Sequence, residues 1–111
     1  MINMIKDILH EKAEETQEKH VPHIAIDGTK VTVSCGKDIM HPSTKDHFIG
    51  WMKLYTVDNN GRTLEVGSSE PTASLAQPVA CFTLTSVDNI KKLMAVIYCN
   101  IHGIWENELE L

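Results

Sequence analysis

The chain has 111 residues, enough for one compact core and too few for two domains of ordinary size. Hydrophobic residues make up 42% and charged residues 23%, which excludes the charge-rich, apolar-poor composition of a disordered chain. A formal net charge of -5 argues against nucleic acid or an anionic membrane as partner, because both require a basic face.

At the N-terminus, Ile2, Ile5, Ile8 and Leu9 recur at helical spacing and the polar stretch EKAEETQEK follows. This predicts a short amphipathic helix running into a solvated loop over 1–19, with His10 solvated. Lys6 and Asp7 interrupt the only apolar stretch there, so it has no signal-peptide core, and no later run reaches membrane-spanning length. The cytoplasm is the expected compartment.

From His23 onward the pattern changes to HIAID, KVTVSC, HFIGWMKLYTV, TLEVG, VACFTL, LMAVIYC and IWENELEL. These short runs are rich in β-branched and aromatic residues and are separated by Gly, Pro, Asn, Asp and Ser, so they predict about seven strands. Asp27-Gly28 and Asn60-Gly61 offer residues that accept positive φ in tight hairpins. GSSEPTASLAQP is expected to be a loop, and Lys91-Lys92 a solvated turn. The expected fold is all-β, an immunoglobulin-like antiparallel β-sandwich of about seven strands with a short N-terminal helical segment. It forms a single domain over 1–111, with the sandwich over 20–111.

The chemistry-bearing residues cluster. Six histidines include His20 with His23, His41 with His47, and His102 three residues beyond Cys99. Fully extended, the six residues from His41 to His47 would span about 20 Å, too far for two ligands of one metal. HPSTKDH must therefore fold back if both serve, and Pro42, Ser43 and Thr44 supply turn chemistry. In YCNIHGIW, Cys99 closes an apolar strand and Asn100 and Gly103 permit a tight loop, giving a C-x-x-H arrangement suited to a metal. Cys35, Cys81 and Cys99 are odd in number and form no C-x-x-C pair, so neither a disulfide framework nor a four-cysteine site is expected.

EKHVP, HPSTKDH and CNIHGIWE, in this order and at strand-loop junctions, resemble the superoxide reductase family, also called neelaredoxins and desulfoferrodoxins, over residues 18–106. The resemblance implies a one-iron enzyme that reduces superoxide to hydrogen peroxide. His20, His41, His47 and His102 would be equatorial ligands of one non-haem Fe2+/Fe3+, Cys99 the axial thiolate, and the sixth position open. Glu18 and Lys19 match the family's mobile loop, where the lysine draws in superoxide or assists protonation and the glutamate caps ferric iron. Two-iron members carry an N-terminal four-cysteine domain that this chain lacks, so a second iron is not expected. Ser43 stands where other members often have Met or Asn, and the loop from Gly67 to Pro78 is short compared with some. The family suggests a rubredoxin-like electron donor, and a homo-oligomer, dimer or tetramer, is expected.

The remaining candidates have plainer readings. Cys35 alternates with Val31 and Val33, and Cys81 lies between Ala80 and Phe82, so both read as small buried hydrophobes. His23 stands near His20 as a candidate supporting residue, and Trp51 and Trp105 read as core or site-wall aromatics. Two other functions compete. A cupredoxin-like electron carrier also joins a sandwich to C-x-x-H, but its site uses two histidines and a cysteine with a nearby axial Met, and no methionine follows Cys99. A zinc-stabilised binding module would usually stop at four ligands.

Overall fold

The computed structural model describes residues 4–10 and 20–111. Among them, one helical turn, α1 (Ile5–Ile8), is closed where the Met4 N–H donates to the Asp7 carboxylate at 3.0 Å. The chain then enters β1 (Leu9–His10), which pairs in parallel with the last strand. The N-terminal helix is thus shorter than its apolar spacing suggests. His10 is not a solvated helical residue: it is half-buried in a strand, with its ring 4.7 Å from that of Trp105.

The remaining strands follow in order: β2 (Pro22–Asp27), β3 (Lys30–Cys35), β4 (Ile49–Asp58), β5 (Thr63–Ser69), β6 (Val79–Thr83), β7 (Ile90–Cys99) and β8 (Gly103–Glu110). They form a five-stranded sheet, β1-β8-β7-β4-β5, facing a three-stranded sheet, β2-β3-β6. All neighbours except β1 and β8 are antiparallel. The expected sandwich is present, with β1 as an additional short strand.

Period-two burial explains the layers. Val31, Val33 and Cys35 of β3 point inward, as do Leu93, Ala95, Ile97 and Cys99 of β7, and all seven are fully buried. In β4 the inward set is Ile49, Met52, Leu54 and Val57, so its phase shifts twice, near the start and again after Leu54, where the pairing with β5 is also irregular. The first shift is a bulge at Gly50, where pairing passes from Ile49↔Cys99 to Trp51↔Tyr98. A Cβ on Gly50 would lie 2.9 Å from Cδ2 of Tyr98, so glycine lets the two strands approach. The hairpin turns also form where expected, with Gly28 at φ 62 and Gly61 at φ 84. Asp58 Oδ1 accepts the N–H groups of Asn60 and Arg62 in the second turn.

Three local expectations are corrected. β5 continues through Ser69, so the loop is shorter than GSSEPTASLAQP. Lys91 and Lys92 lie inside β7, where Lys92 Nζ meets Glu108 Oε2 at 2.8 Å across the strand pair. Cys81 is exposed: β6 turns Ala80 inward and therefore Val79 and Cys81 outward.

Candidate metal centre

The ends of β3, β4, β7 and β8 and the approach to β2 meet at one end of the sandwich. His20, two residues before β2, is 4% exposed. Its lead-in is tied across the sandwich by Asn107 of β8, whose Nδ2 donates to the Pro22 carbonyl at 3.1 Å. His41 is 1% exposed, and its N–H donates to the Cys35 carbonyl at 3.0 Å. Its ring Nδ1 lies 2.8 Å from the Pro42 carbonyl, which leaves Nε2 toward the interior.

HPSTKDH folds back as its spacing requires. Thr44 N–H donates to the His47 carbonyl at 2.9 Å, and His47 N–H donates to Thr44 Oγ1 at 3.0 Å. The rings of His41 and His47 come to 4.5 Å between centroids. Asn100 then fastens this segment to the C-x-x-H turn. Its Oδ1 accepts from Phe48 N–H at 2.9 Å, its own N–H donates to the Phe48 carbonyl at 3.2 Å, and its Nδ2 donates to the Asp46 carbonyl at 2.9 Å. Sequence reading credited Asn100 only with permitting a loop; its side chain joins two ligand-bearing segments.

The donor atoms converge. One ligand atom each from His20, His41, His47 and Cys99 lies within 4.8 Å of all the others. His102 joins them: its Nδ1 is 3.0 Å from His20 Nε2 and 3.7 Å from Cys99 Sγ. Around the four rings in the order 20, 41, 47, 102, centroids are 4.8, 4.5, 5.1 and 4.6 Å apart, and the His20–His47 diagonal is 6.1 Å. Neighbouring rings cross at 66° to 76°. The sulfur sits 3.5 Å from His41 Nε2 and accepts the His102 backbone N–H at 3.4 Å.

The other sequence candidates divide. Trp105 is a wall of the site, 7% exposed and stacked on His20 at 5.1 Å and 18°. Trp51 lies elsewhere, against Tyr98 and under Lys53 Nζ. His23 lines a hollow with Lys37 and Asn107, and among the described ring contacts none joins it to the four imidazoles. Glu18 and Lys19 lie outside the described residues.

The three imidazoles and one sulfur that gather within 4.8 Å of one another, with the His102 ring beside them, offer donors that suit a nitrogen- and sulfur-binding transition metal. The sequence and the fold agree with known proteins. A superoxide reductase of Pyrococcus horikoshii is 44% identical over 102 residues, covering 85% of this chain and 88% of its own. A neelaredoxin of Megalodesulfovibrio gigas is 36% identical over 118 residues, covering 89% of this chain and 91% of its own. The solved one-iron superoxide reductase of Giardia intestinalis superposes with a TM-score of 0.80 at 42% identity, over 85% of this chain and 99% of that one. The family model described as Desulfoferrodoxin matches residues 12–108, and the chain belongs to that family.

Proposed function

We propose that this chain is a superoxide reductase that takes one electron from a rubredoxin-like donor and passes it to superoxide, giving hydrogen peroxide. One iron would be held by His20, His41, His47, His102 and Cys99. The observation that carries this reading is the ring of four imidazoles with a single sulfur among them. A blue-copper carrier would employ two histidines and a cysteine, leaving half of that ring without a task.

When bound, iron supplies the one-electron redox change. The residues set its charge and access. Four neutral imidazoles and one thiolate would leave the centre at net +1 when ferrous and +2 when ferric, so an anion is attracted in both states. Cys99 would hold the iron through its sulfur and, as thiolate, would donate electron density to it. The chain's net charge of -5 opposes anion approach, but beyond about 8–10 Å it is screened, leaving the local site dominant. Lys19, next to His20 in sequence, would draw superoxide in and assist protonation, and Glu18 would cap the oxidised centre. We read residues 1–111 as one domain working in the cytoplasm as a homo-oligomer, dimer or tetramer; among the described residues no helix is long and apolar enough to cross a membrane.

The test combines metal analysis, the optical spectrum of the oxidised protein and the product balance. One iron per chain, a thiolate-to-iron charge-transfer band, and peroxide formed only with an electron donor are expected. Oxygen release from superoxide without a donor would make the protein a dismutase instead. Lys19→Ala should keep its iron and spectrum but capture superoxide several-fold more slowly and with a weaker salt dependence, since steering can raise association rates about 10-fold or more. Stopped-flow rates equal to the parent's at low and high ionic strength would remove Lys19 from the mechanism.

A further inference from the structure

Trp105 touches the donor cluster from two sides. Its indole plane lies nearly parallel to the His20 ring, with centroids 5.1 Å apart at 18°. Its Nε1–H donates to the His102 carbonyl at 3.1 Å, so the same side chain grips the turn that carries both Cys99 and His102. His20 and His102 are 82 residues apart in sequence and reach the site from opposite sheets, yet His20 Nε2 and His102 Nδ1 end 3.0 Å apart.

The indole is itself held. Trp105 pairs with Ile97 in the antiparallel ladder of β7 and β8, and on the other edge of β8 its register partner is His10 of β1. The His10 ring packs on the indole at 4.7 Å and 35°. The indole is therefore a fixed wall, and the groups leaning on it take their orientation from it.

We propose that Trp105 is the positioning residue of the metal centre: its face sets the plane of the His20 imidazole while its N–H fixes the Cys99–His102 turn, so one side chain sets the relation between thiolate and equatorial imidazole. A buried tryptophan serving only as core would need neither contact. Its indole N–H could go to any carbonyl, whereas here it goes to a residue of the donor set. Groups that orient ligands in this way usually change metal affinity about 10- to 100-fold when removed. The inference rests on the reading that His20, Cys99 and His102 ligate one iron.

The experiment compares iron-loaded parent, Trp105→Phe, Trp105→Leu and Trp51→Phe, reading the charge-transfer band, the ferric electron paramagnetic resonance signal and iron retention against a chelator. Trp105→Phe keeps a ring face for His20 but loses the N–H, so it should retain iron with a shifted band. Trp105→Leu loses both contacts and should release iron at least about 10-fold more readily. Trp51→Phe, against Tyr98 and away from the donors, should match the parent. If the parent shows its thiolate band and Trp105→Phe shows the same band, resonance signal and retention, the inference falls while the iron reading stands; this holds even if Trp105→Leu fails to fold. A parent without a thiolate band would overturn both.

Discussion

Two cysteines close two strands of this molecule, Cys35 at the end of β3 and Cys99 at the end of β7, and both are fully buried. Their surroundings differ in kind. Cys99 Sγ faces imidazole nitrogens of His41 and His102 at 3.5 and 3.7 Å. Cys35 Sγ–H donates to the backbone carbonyl of His20 at 3.4 Å, and its own carbonyl receives the His41 N–H. One cysteine meets the rings of the cluster; the other braces the main chain behind them. Burial and strand position do not separate a cysteine that faces imidazoles from one that braces the main chain. The residues that follow do: after Cys99 the chain turns through Asn100 and Ile101 so that the His102 N–H aims at the sulfur, whereas after Cys35 the Gly36 N–H goes to the Val21 carbonyl.

The sharpest break of this comparison is Cys99→Ser set against Cys35→Ala. Cys99→Ser should lose the charge-transfer band and with it superoxide reduction. Cys35→Ala should keep both and cost about 1–2 kcal/mol in urea unfolding, the effect of a small cavity in a tight core. If Cys35→Ala lost the band as fully, the distinction between ligand and brace would be wrong.

A smaller effect is expected where the two ligand-bearing segments are joined. Asn100→Ala leaves the Phe48 N–H without its acceptor and uncouples the His47 segment from the Cys99 turn. Iron should be released about 10-fold more readily in chelator competition, with the thiolate band still present. Parent-like retention would mean that the backbone pairing of Ile49 with Cys99 suffices to align them.

Gly50→Ala probes that pairing. The added carbon would press on the Tyr98 ring at 2.9 Å, one residue before Cys99. A loss of about 1–3 kcal/mol in urea unfolding is expected, as for other overpacked positions, and an unchanged midpoint would show that Tyr98 swings aside freely.

The smallest effect lies at the far end of β7. The Lys92 ammonium is held above its ordinary pKa of 10.5, chiefly by its hydrogen bond to Glu108. A raised folded-state pKa contributes stability that is fully present below the ordinary lysine value and is lost as pH rises through the folded one. Lys92→Met should therefore be slightly less stable than the parent at neutral pH and converge with it in strong alkali. A gap that widened with pH would reverse the sign.

The strand runs were legible because period-two alternation is a local property, and KVTVSC and LMAVIYC display it without help from the rest of the chain. Alternation does not always disclose its phase. VACFTL gives the same pattern whichever face is buried, and pairing of β6 with β3 turned Cys81 outward against expectation. Lys91 and Lys92 read as a turn because charge marks solvent, but a sheet with one wet face accommodates lysines within a strand. Apolar spacing likewise promised a longer helix and could not foresee that His10 would join β8.

By itself the sequence determined the family, through motifs rich in histidine with one cysteine, and the sandwich, through the alternation of its strands. Only the tertiary structure decided which groups orient those side chains. Asn100 reaches across to Phe48 and Asp46, 52 and 54 positions away, and Trp105, which bonds His102 within its own turn, stacks on His20 from the far end of the chain. Spacing along a chain limits how far apart two residues can be, but contacts across strands and sheets depend on register, and register emerges only when the whole core packs.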